Sequence, residues 1–360
     1  MPQPNSRSPN SPSWSSSLLR RDLSARAHHL AQTQKLLHDI SPGSSAVVIF
    51  GRDEQGRHGN FHPASDTSIC ANPAWLRRLT KVHTASRRSR ARKDWQWMEL
   101  DSSNSSDALL MNIFCHPGVF NGHTIAPAVA NLLNIDPTTE PCFGINPGVP
   151  LHQPATKRGQ ITNRSRRRSQ PDLFASTDPS VVEAPANAAE LSGLDESTHL
   201  QSLHLRDRTE IDLQLGDLFL EAKLTESNFQ TAAPRLIERY RDLETIFDLT
   251  RLPRKDTGFI QGYQLIRNVL AAFASGASFC VLCDARRRDL IEIWYSVLSA
   301  VHYPSFAWRL KLLTWQELAS ALPKDLQQFL ESNTESFLPI AAIPAKQVES
   351  AVSCNTRRCK

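Results

Sequence analysis

Two acids and a lysine stand close together in EIDLQLGDLFLEAKLTE, residues 210–226. Apolar residues alternate with polar ones on either side of Gly216-Asp217, and a two-residue connection with Gly first is a preferred hairpin loop that fixes the pairing register. With that pair in the turn, Leu215 faces Leu218, Gln214 faces Phe219, Leu213 faces Leu220, Asp212 faces Glu221, Ile211 faces Ala222 and Glu210 faces Lys223. Side chains alternate along a strand, which puts Ile211, Leu213, Leu215, Leu218, Leu220 and Ala222 on one face. Glu210, Asp212, Glu221 and Lys223 share the other. Directly opposed side chains lie about 4.5–5.5 Å apart at Cβ, so Asp212 and Glu221 repel unless a cation lies between them. Two chemistries fit. One is a solvated polar face with a cross-strand Glu210–Lys223 pair. The other is a pair of hard oxygen ligands for Mg²⁺, an ion commonly held by one or two carboxylates together with substrate phosphate. Lys223, pointing the same way, would then add positive charge where a phosphoryl group develops negative charge.

The elements around the hairpin follow from periodicity and caps. LLRRDLSARAHHLAQTQKLLHDI has helical spacing, SAVVIFG after it reads as a strand, and in DSSNSSDALLMNIF Ser105 or Ser106 caps a helix buried on most sides. After the hairpin come a helix around APRLIERYRDLETIFDL and a basic, Pro-containing loop. FIQGYQLIRNVLAAFA follows, with Gln261, Gln264 and Asn268 on one stripe and Ile260, Tyr263, Ile266, Leu270 and Ala274 on another. SFCVLC reads as a strand, DARRRDLIEIWYSVLSAV as a helix, and Thr314 with Glu317 as the capping box of a last helix. Helix, strand, hairpin, helix, strand, helix is the order of an α/β fold with a mixed central β-sheet flanked by helices. Four stretches divide the 360 residues: a disordered tail at 1–16, an N-terminal helical and strand extension at 17–96, a main domain at 97–340 and a C-terminal tail at 341–360. The main domain is interrupted by a Pro-, Ser- and Arg-rich flexible insertion at 153–200.

Charge and composition narrow the function. No apolar run is long enough for a membrane span, and the chain reads as soluble and cytoplasmic. Seven cysteines without a framework spacing read as reduced thiols. The only CxxC, Cys280 to Cys283, sits in a buried strand that points alternate residues to opposite faces. The net charge of +5 is uneven: residues 77–93 hold eight Lys or Arg and no acid, and residues 157–168 hold six more. Such runs serve equally as solvated loops or as phosphate contacts, whose binding is salt-dependent. His83, His116 and His123 lack the compact His/Asn spacing of a ββα-metal site and read as structural or exposed.

Asp212, eight intervening residues, then Glu221-Ala222-Lys223, followed by the Gln-bearing QGYQLIRN helix and another strand, resemble the PD-(D/E)XK nuclease superfamily. SSDALLMNIF is similar to the opening helix of a bacterial, restriction-endonuclease-like branch of it, and the likeness covers most of residues 97–330. The resemblance implies a restriction-endonuclease-like core and metal-dependent hydrolysis of nucleic acid, most simply by a DNA endonuclease acting on double-stranded DNA. It implies Mg²⁺ (or Mn²⁺) on Asp212 and Glu221 with the Ala222 carbonyl, Lys223 to orient or activate the attacking water, and Gln261 or Gln264 to support the site. Nucleic acid would be gripped by Arg87, Arg88, Arg90, Arg267, Arg286 and Arg287, and a homodimer is one possible assembly. The pattern departs from the family in having Ile211 where Pro often precedes the first acid. It also has no clear match for an extra acid on the first helix: Glu99 and Asp101 lie just ahead of that helix, Asp107 suits its N-terminal dipole, and Glu210 faces Lys223. The contrasting reading is a nuclease fold that has lost activity and only binds nucleic acid.

Overall fold

The computed structural model describes residues 14–41, 46–81, 98–152 and 206–333. Both tails in large part, most of the 77–93 basic run and the 153–200 insertion lie outside them. Strands run as β1 (His38–Ile40), β2 (Val48–Phe50), β3 (Pro141–Ile145), β4 (Gly148–Pro150), β5 (Arg206–Arg208), β6 (Ile211–Leu215), β7 (Leu218–Lys223), β8 (Thr231–Ala232), β9 (Ile260–Gln261), β10 (Ser278–Cys283) and β11 (Leu310–Thr314). The helices are α1 (Ser16–Thr33), α2 (Pro63–Ala71), α3 (Pro73–Leu79), α4 (Ser106–Phe114), α5 (Pro127–Leu133), the single turns α6 (Pro234–Ile237) and α7 (Leu243–Ile246), α8 (Tyr263–Ala274), α9 (Arg288–Ser299), the turn α10 (Pro304–Ala307), α11 (Trp315–Ala319) and α12 (Lys324–Asn333).

A five-stranded mixed sheet in the order β11-β10-β7-β6-β3 organises the chain. β10 is parallel to both β11 and β7, while β6 is antiparallel to β7 and β3. The hairpin register is the one expected: Leu213 opposes Leu220, Gln214 opposes Phe219, Leu215 opposes Leu218, and Gly216 turns with φ +59°. Helices cover both faces. Leu19, Ile69, Trp75, Leu110 and Leu326 pack with Leu213, Leu218, Leu220 and Ala222 on one side. Ile266, Leu270, Trp294 and Val297 pack with Phe219 and Val281 on the other. Cys280 and Cys283 fall into opposite clusters, as their odd spacing in a strand requires. Residues of α1, α2 and α3 thus share one core with the hairpin.

Because β7 lies between β6 and β10 with helices on both faces, all six of its residues are buried. Burying Leu218 or Leu220 contributes about 1.5–3 kcal/mol each. Glu221 and Lys223 occupy the same strand, and the solvated polar face is thereby excluded for this hairpin.

Several local expectations are corrected. α1 begins at Ser16, inside the expected tail, and stops at Thr33; Lys35 turns with φ 54°, and His38–Ile40 pairs as β1 with β2. The helix expected over APRLIERYRDLETIFDL is broken into α6 and α7. Between them the backbone turns to β4 instead: Arg241 N donates to Pro150 O and His152 N to Arg239 O. Gln261 belongs to β9 and not to the following helix, since Gly262 adopts φ +72° and α8 starts at Tyr263. Ile211 leaves the face of Leu213 and joins the second cluster, where the β6–β7 ladder has ended. β11 completes the sheet at an edge for which no strand was expected, because LKLLT reads equally as the run-in to the capped helix.

Candidate active site

The site begins where β6 and β7 part. Beyond the Leu213–Leu220 pair the strands lose their ladder, and Asp212 Oδ2 accepts the Ala222 N–H at 2.8 Å in place of a backbone carbonyl. Glu221, one residue back on β7, is fully buried. Its Oε1 accepts from Lys223 Nζ at 2.6 Å and Gln264 Nε2 at 2.5 Å, and its Oε2 accepts from Asn268 Nδ2 at 2.8 Å. Gln264 and Asn268 lie four residues apart in α8 and therefore on one face of it. Thr209 Oγ1 donates to Asn268 Oδ1 at 2.7 Å and fixes which way the amide points.

α4 closes the site from the other side. Ser105 caps it, and Asp107 in its first turn is buried. Asp107 Oδ2 accepts from Arg78 Nη2 at 2.7 Å, and its charge reaches Asp212 and Glu221. Ser106 Oγ donates to Glu226 Oε1 at 2.9 Å, while Glu226 Oε2 accepts from the Leu224 N–H at 2.7 Å. Asp107 thus stands in the first turn of α4, where its charge acts on both acids of the hairpin. Glu99 and Asp101 lie in the single 3₁₀ turn ahead of it, where Asp101 contacts His58. Glu210 does not face Lys223: its carboxylate is taken by Arg78 and Lys81, each at 2.8 Å. The Lys223 partner is Glu221.

Electrostatics set the proton positions. Burial, reinforced by the charges of Glu221 and Asp107, pushes the Asp212 carboxyl well above its ordinary range. Burial also raises Glu221, against the pull of Lys223. Lys223 is raised as well, because Glu221, Glu226 and Asp212 outweigh the burial that would lower it, so the ammonium is retained. Six acids (Glu99, Asp107, Glu210, Asp212, Glu221, Glu226) meet three bases (Arg78, Lys81, Lys223), an excess of three acidic groups over basic ones. An ionised carboxylate offers about four acceptor sites. Glu221 uses three and Asp212 one among the described residues, which leaves hard oxygen acceptor sites on both. That donor set and that charge deficit suit a divalent cation.

Other expected residues fall elsewhere. Ala222 is buried with its N–H given to Asp212. Gln261 pairs with Thr231 across β8–β9, and no contact brings it to Glu221. Arg267 donates to Arg208 O at 2.6 Å and lies over the Tyr263 ring. Arg286 is held by both Asp284 oxygens at 2.7–2.8 Å and stacks on Trp14. Arg287 is fully buried, paired with Asp289 at 2.8 Å, and this burial takes it off any surface a nucleic acid reaches. Arg87, Arg88 and Arg90 lie outside the described residues. Asn268 was visible in sequence on the Gln264 stripe. Glu226 and Ser106 carried no signal, because only the chain path after β7 brings them together.

A second group of ligand types is His62, His116 and Asp325, within 4.8 Å of one another. Its protons argue against a metal. His62 Nδ1 accepts the Ala64 N–H at 3.2 Å and His116 Nδ1 accepts the Gly118 N–H at 3.1 Å, so in the neutral ring each Nε2 carries the hydrogen. Metal-binding histidines show the reverse, donating the second N–H outward. Burial lowers both imidazoles and keeps them neutral, and His116 Nε2 points at Asp325 Oδ2 at 3.4 Å.

Among the described residues no helix is long and apolar enough to cross a membrane. No curated protein and no solved structure matches the chain. A family model, Restriction Endonuclease associating with ARP, matches residues 26–337, a span that takes in the sheet, α4, α8 and both acids of the hairpin. The chain therefore belongs to this restriction-endonuclease family.

Proposed function

We propose that the protein is a metal-dependent endonuclease that hydrolyses phosphodiester bonds of double-stranded DNA, with Asp212, Glu221 and Lys223 as its catalytic set. The observation that carries this reading is the burial of Glu221 and Lys223 in the central strand β7, beside the half-buried Asp212 of β6. A surface ion pair gains about 0–1 kcal/mol, whereas burying charges costs several kcal/mol per ion unless each is satisfied. A fold that keeps three such groups with lone pairs to spare is arranged for a cation and an anionic substrate.

Asp212 and Glu221 would hold the ion, with Asp107 and the Ala222 carbonyl available to complete the set. A bound Mg²⁺ or Mn²⁺ supplies polarisation of the scissile phosphate and a lowered water pKa. Lys223, fixed as an ammonium by Glu221, stabilises the negative charge that develops on the phosphate oxygens. Gln264 and Asn268, held by α8 and Thr209, keep the Glu221 carboxylate in one orientation, so little reorganisation remains when the substrate arrives. The family description also names an association with ARP, which adds that partner to the proposal.

An inactive nuclease fold that only binds DNA is the competing reading. It predicts no selection for spare acceptor sites on Asp212. Purified protein should nick supercoiled plasmid with Mg²⁺ and not with EDTA; absence of nicking across Mg²⁺ and Mn²⁺, with DNA binding retained, would establish the binder instead.

A further inference from the structure

Arg78 sits in α3, outside the sheet, yet its guanidinium reaches the site. Nη2 donates both to Asp107 Oδ2 at 2.7 Å and to Glu210 Oε1 at 2.8 Å, and the side chain is 13% exposed. Lys81 stands beside it, 2.8 Å from Glu210 and 3.5 Å from Asp107. The fold makes room for this arginine. Gly144 in the edge strand β3 has φ +62°, and a Cβ there would collide with Arg78 Nη1. Trp75 Nε1 donates to Pro141 O at 3.2 Å and ties α3 to the same strand.

Resting on the nuclease reading, we propose that Arg78 is a substrate-binding residue that exchanges Asp107 for a backbone phosphate of the DNA when Asp107 turns to the divalent cation. Asp107 is both an anion that holds Arg78 and an α4 acid whose charge acts on Asp212 and Glu221. Charge given by Asp107 to a divalent cation is charge withdrawn from Arg78. With Asp107 gone, Arg78 keeps only Glu210 and has N–H donors of its fork to spare, and a phosphate matches that planar fork as well as a carboxylate does. Glu210 and Lys81 keep α3 in place meanwhile. Cation and DNA then bind cooperatively, each favouring the other by the same factor.

The test uses Ca²⁺ with the full-length protein, measuring Ca²⁺ affinity by calorimetry without DNA and DNA affinity with and without Ca²⁺. In Arg78→Gln, Ca²⁺ should bind several-fold more tightly, because only the more distant Lys81 still competes for Asp107, while the Ca²⁺-dependent gain in DNA affinity should fall at least tenfold. Arg78→Lys, which keeps the charge and the fold but loses the fork, should lie between. Unchanged or weaker Ca²⁺ binding in Arg78→Gln, or an undiminished gain, overturns the exchange. Wild-type protein that binds no Ca²⁺, and whose DNA affinity is the same in Asp212→Asn with or without it, overturns the nuclease reading along with it.

Discussion

Two clusters in this molecule hold metal-ligand residue types, and their protons separate them. At β6 and β7 the acids keep acceptor sites unfilled, outnumber the bases around them and have carboxyls raised by burial and by neighbouring acids. At His62, His116 and Asp325 the imidazoles are neutral, each Nδ1 already accepts a backbone N–H, and the single carboxylate is mostly exposed. Residue type and proximity do not make a metal site; what the donor atoms are already doing decides it. The first cluster suits a cation, and the second is a ring contact between His62 and His116 with one contact from His116 to Asp325, joining the start of α2, the end of α4 and α12.

The sharpest way to break this comparison is to neutralise one acid. Asp212→Asn or Glu221→Gln should lower single-turnover cleavage by on the order of 10²–10³-fold and abolish Mg²⁺ binding by calorimetry. Retained Mg²⁺ binding in the double variant would move the cation elsewhere. Lys223→Met comes next. The ammonium is buried against Glu221 at 2.6 Å, so the variant should lose stability as well as rate: about 3 kcal/mol by denaturant unfolding, with cleavage reduced on the order of a hundredfold. A variant as stable as wild type would mean that Lys223 is solvated.

The fold was legible where local chemistry is strong. The Gly216-Asp217 turn set the register, Ser105 capped α4, and Thr314 with Glu317 formed the capping box. Legibility failed where tertiary pairing overrules propensity. Residues 233–249 carry a helical pattern but break into two turns because Arg239 and Arg241 pair with β4. In the site, Asp212, Glu221 and Lys223 came from the hairpin pattern and Gln264 from the family resemblance. Arg78, Lys81 and Glu226 did not, since Arg78 and Glu210 are separated by about a third of the chain and meet only through α3 on β3. The three arginines at 286–288 read as a surface run in sequence, yet Arg287 is the most deeply buried of the described guanidiniums.

pH sharpens the contrast further. An acid whose folded pKa is raised binds more protons folded than unfolded between its ordinary value, about 3.9 for Asp, and the raised one. Stability of the metal-free protein therefore falls as pH rises through that window, and Asp212→Asn, which carries no titrating proton, should escape the loss. Its melting temperature should match or exceed wild type at neutral pH and lose that advantage below about pH 4. The same proton competes with a cation, so Mg²⁺ affinity should climb with pH up to the raised value and level off above it. An affinity independent of pH would show Asp212 to be ionised throughout.

The smallest effect is expected at the second cluster. His116→Gln should leave Mg²⁺-dependent cleavage within about twofold of wild type and cost roughly 1 kcal/mol or less through the contact to Asp325, whose carboxylate is mostly solvated. Tight Zn²⁺ binding by wild type that is lost in His116→Gln would reverse the assignment of the two clusters.

The most direct measurement is single-turnover cleavage of plasmid DNA at saturating Mg²⁺ by wild type and Asp212→Asn, beside DNA binding by both in Ca²⁺. The account expects nicking by wild type only and DNA binding by both. Equal cleavage rates for the two proteins would contradict it.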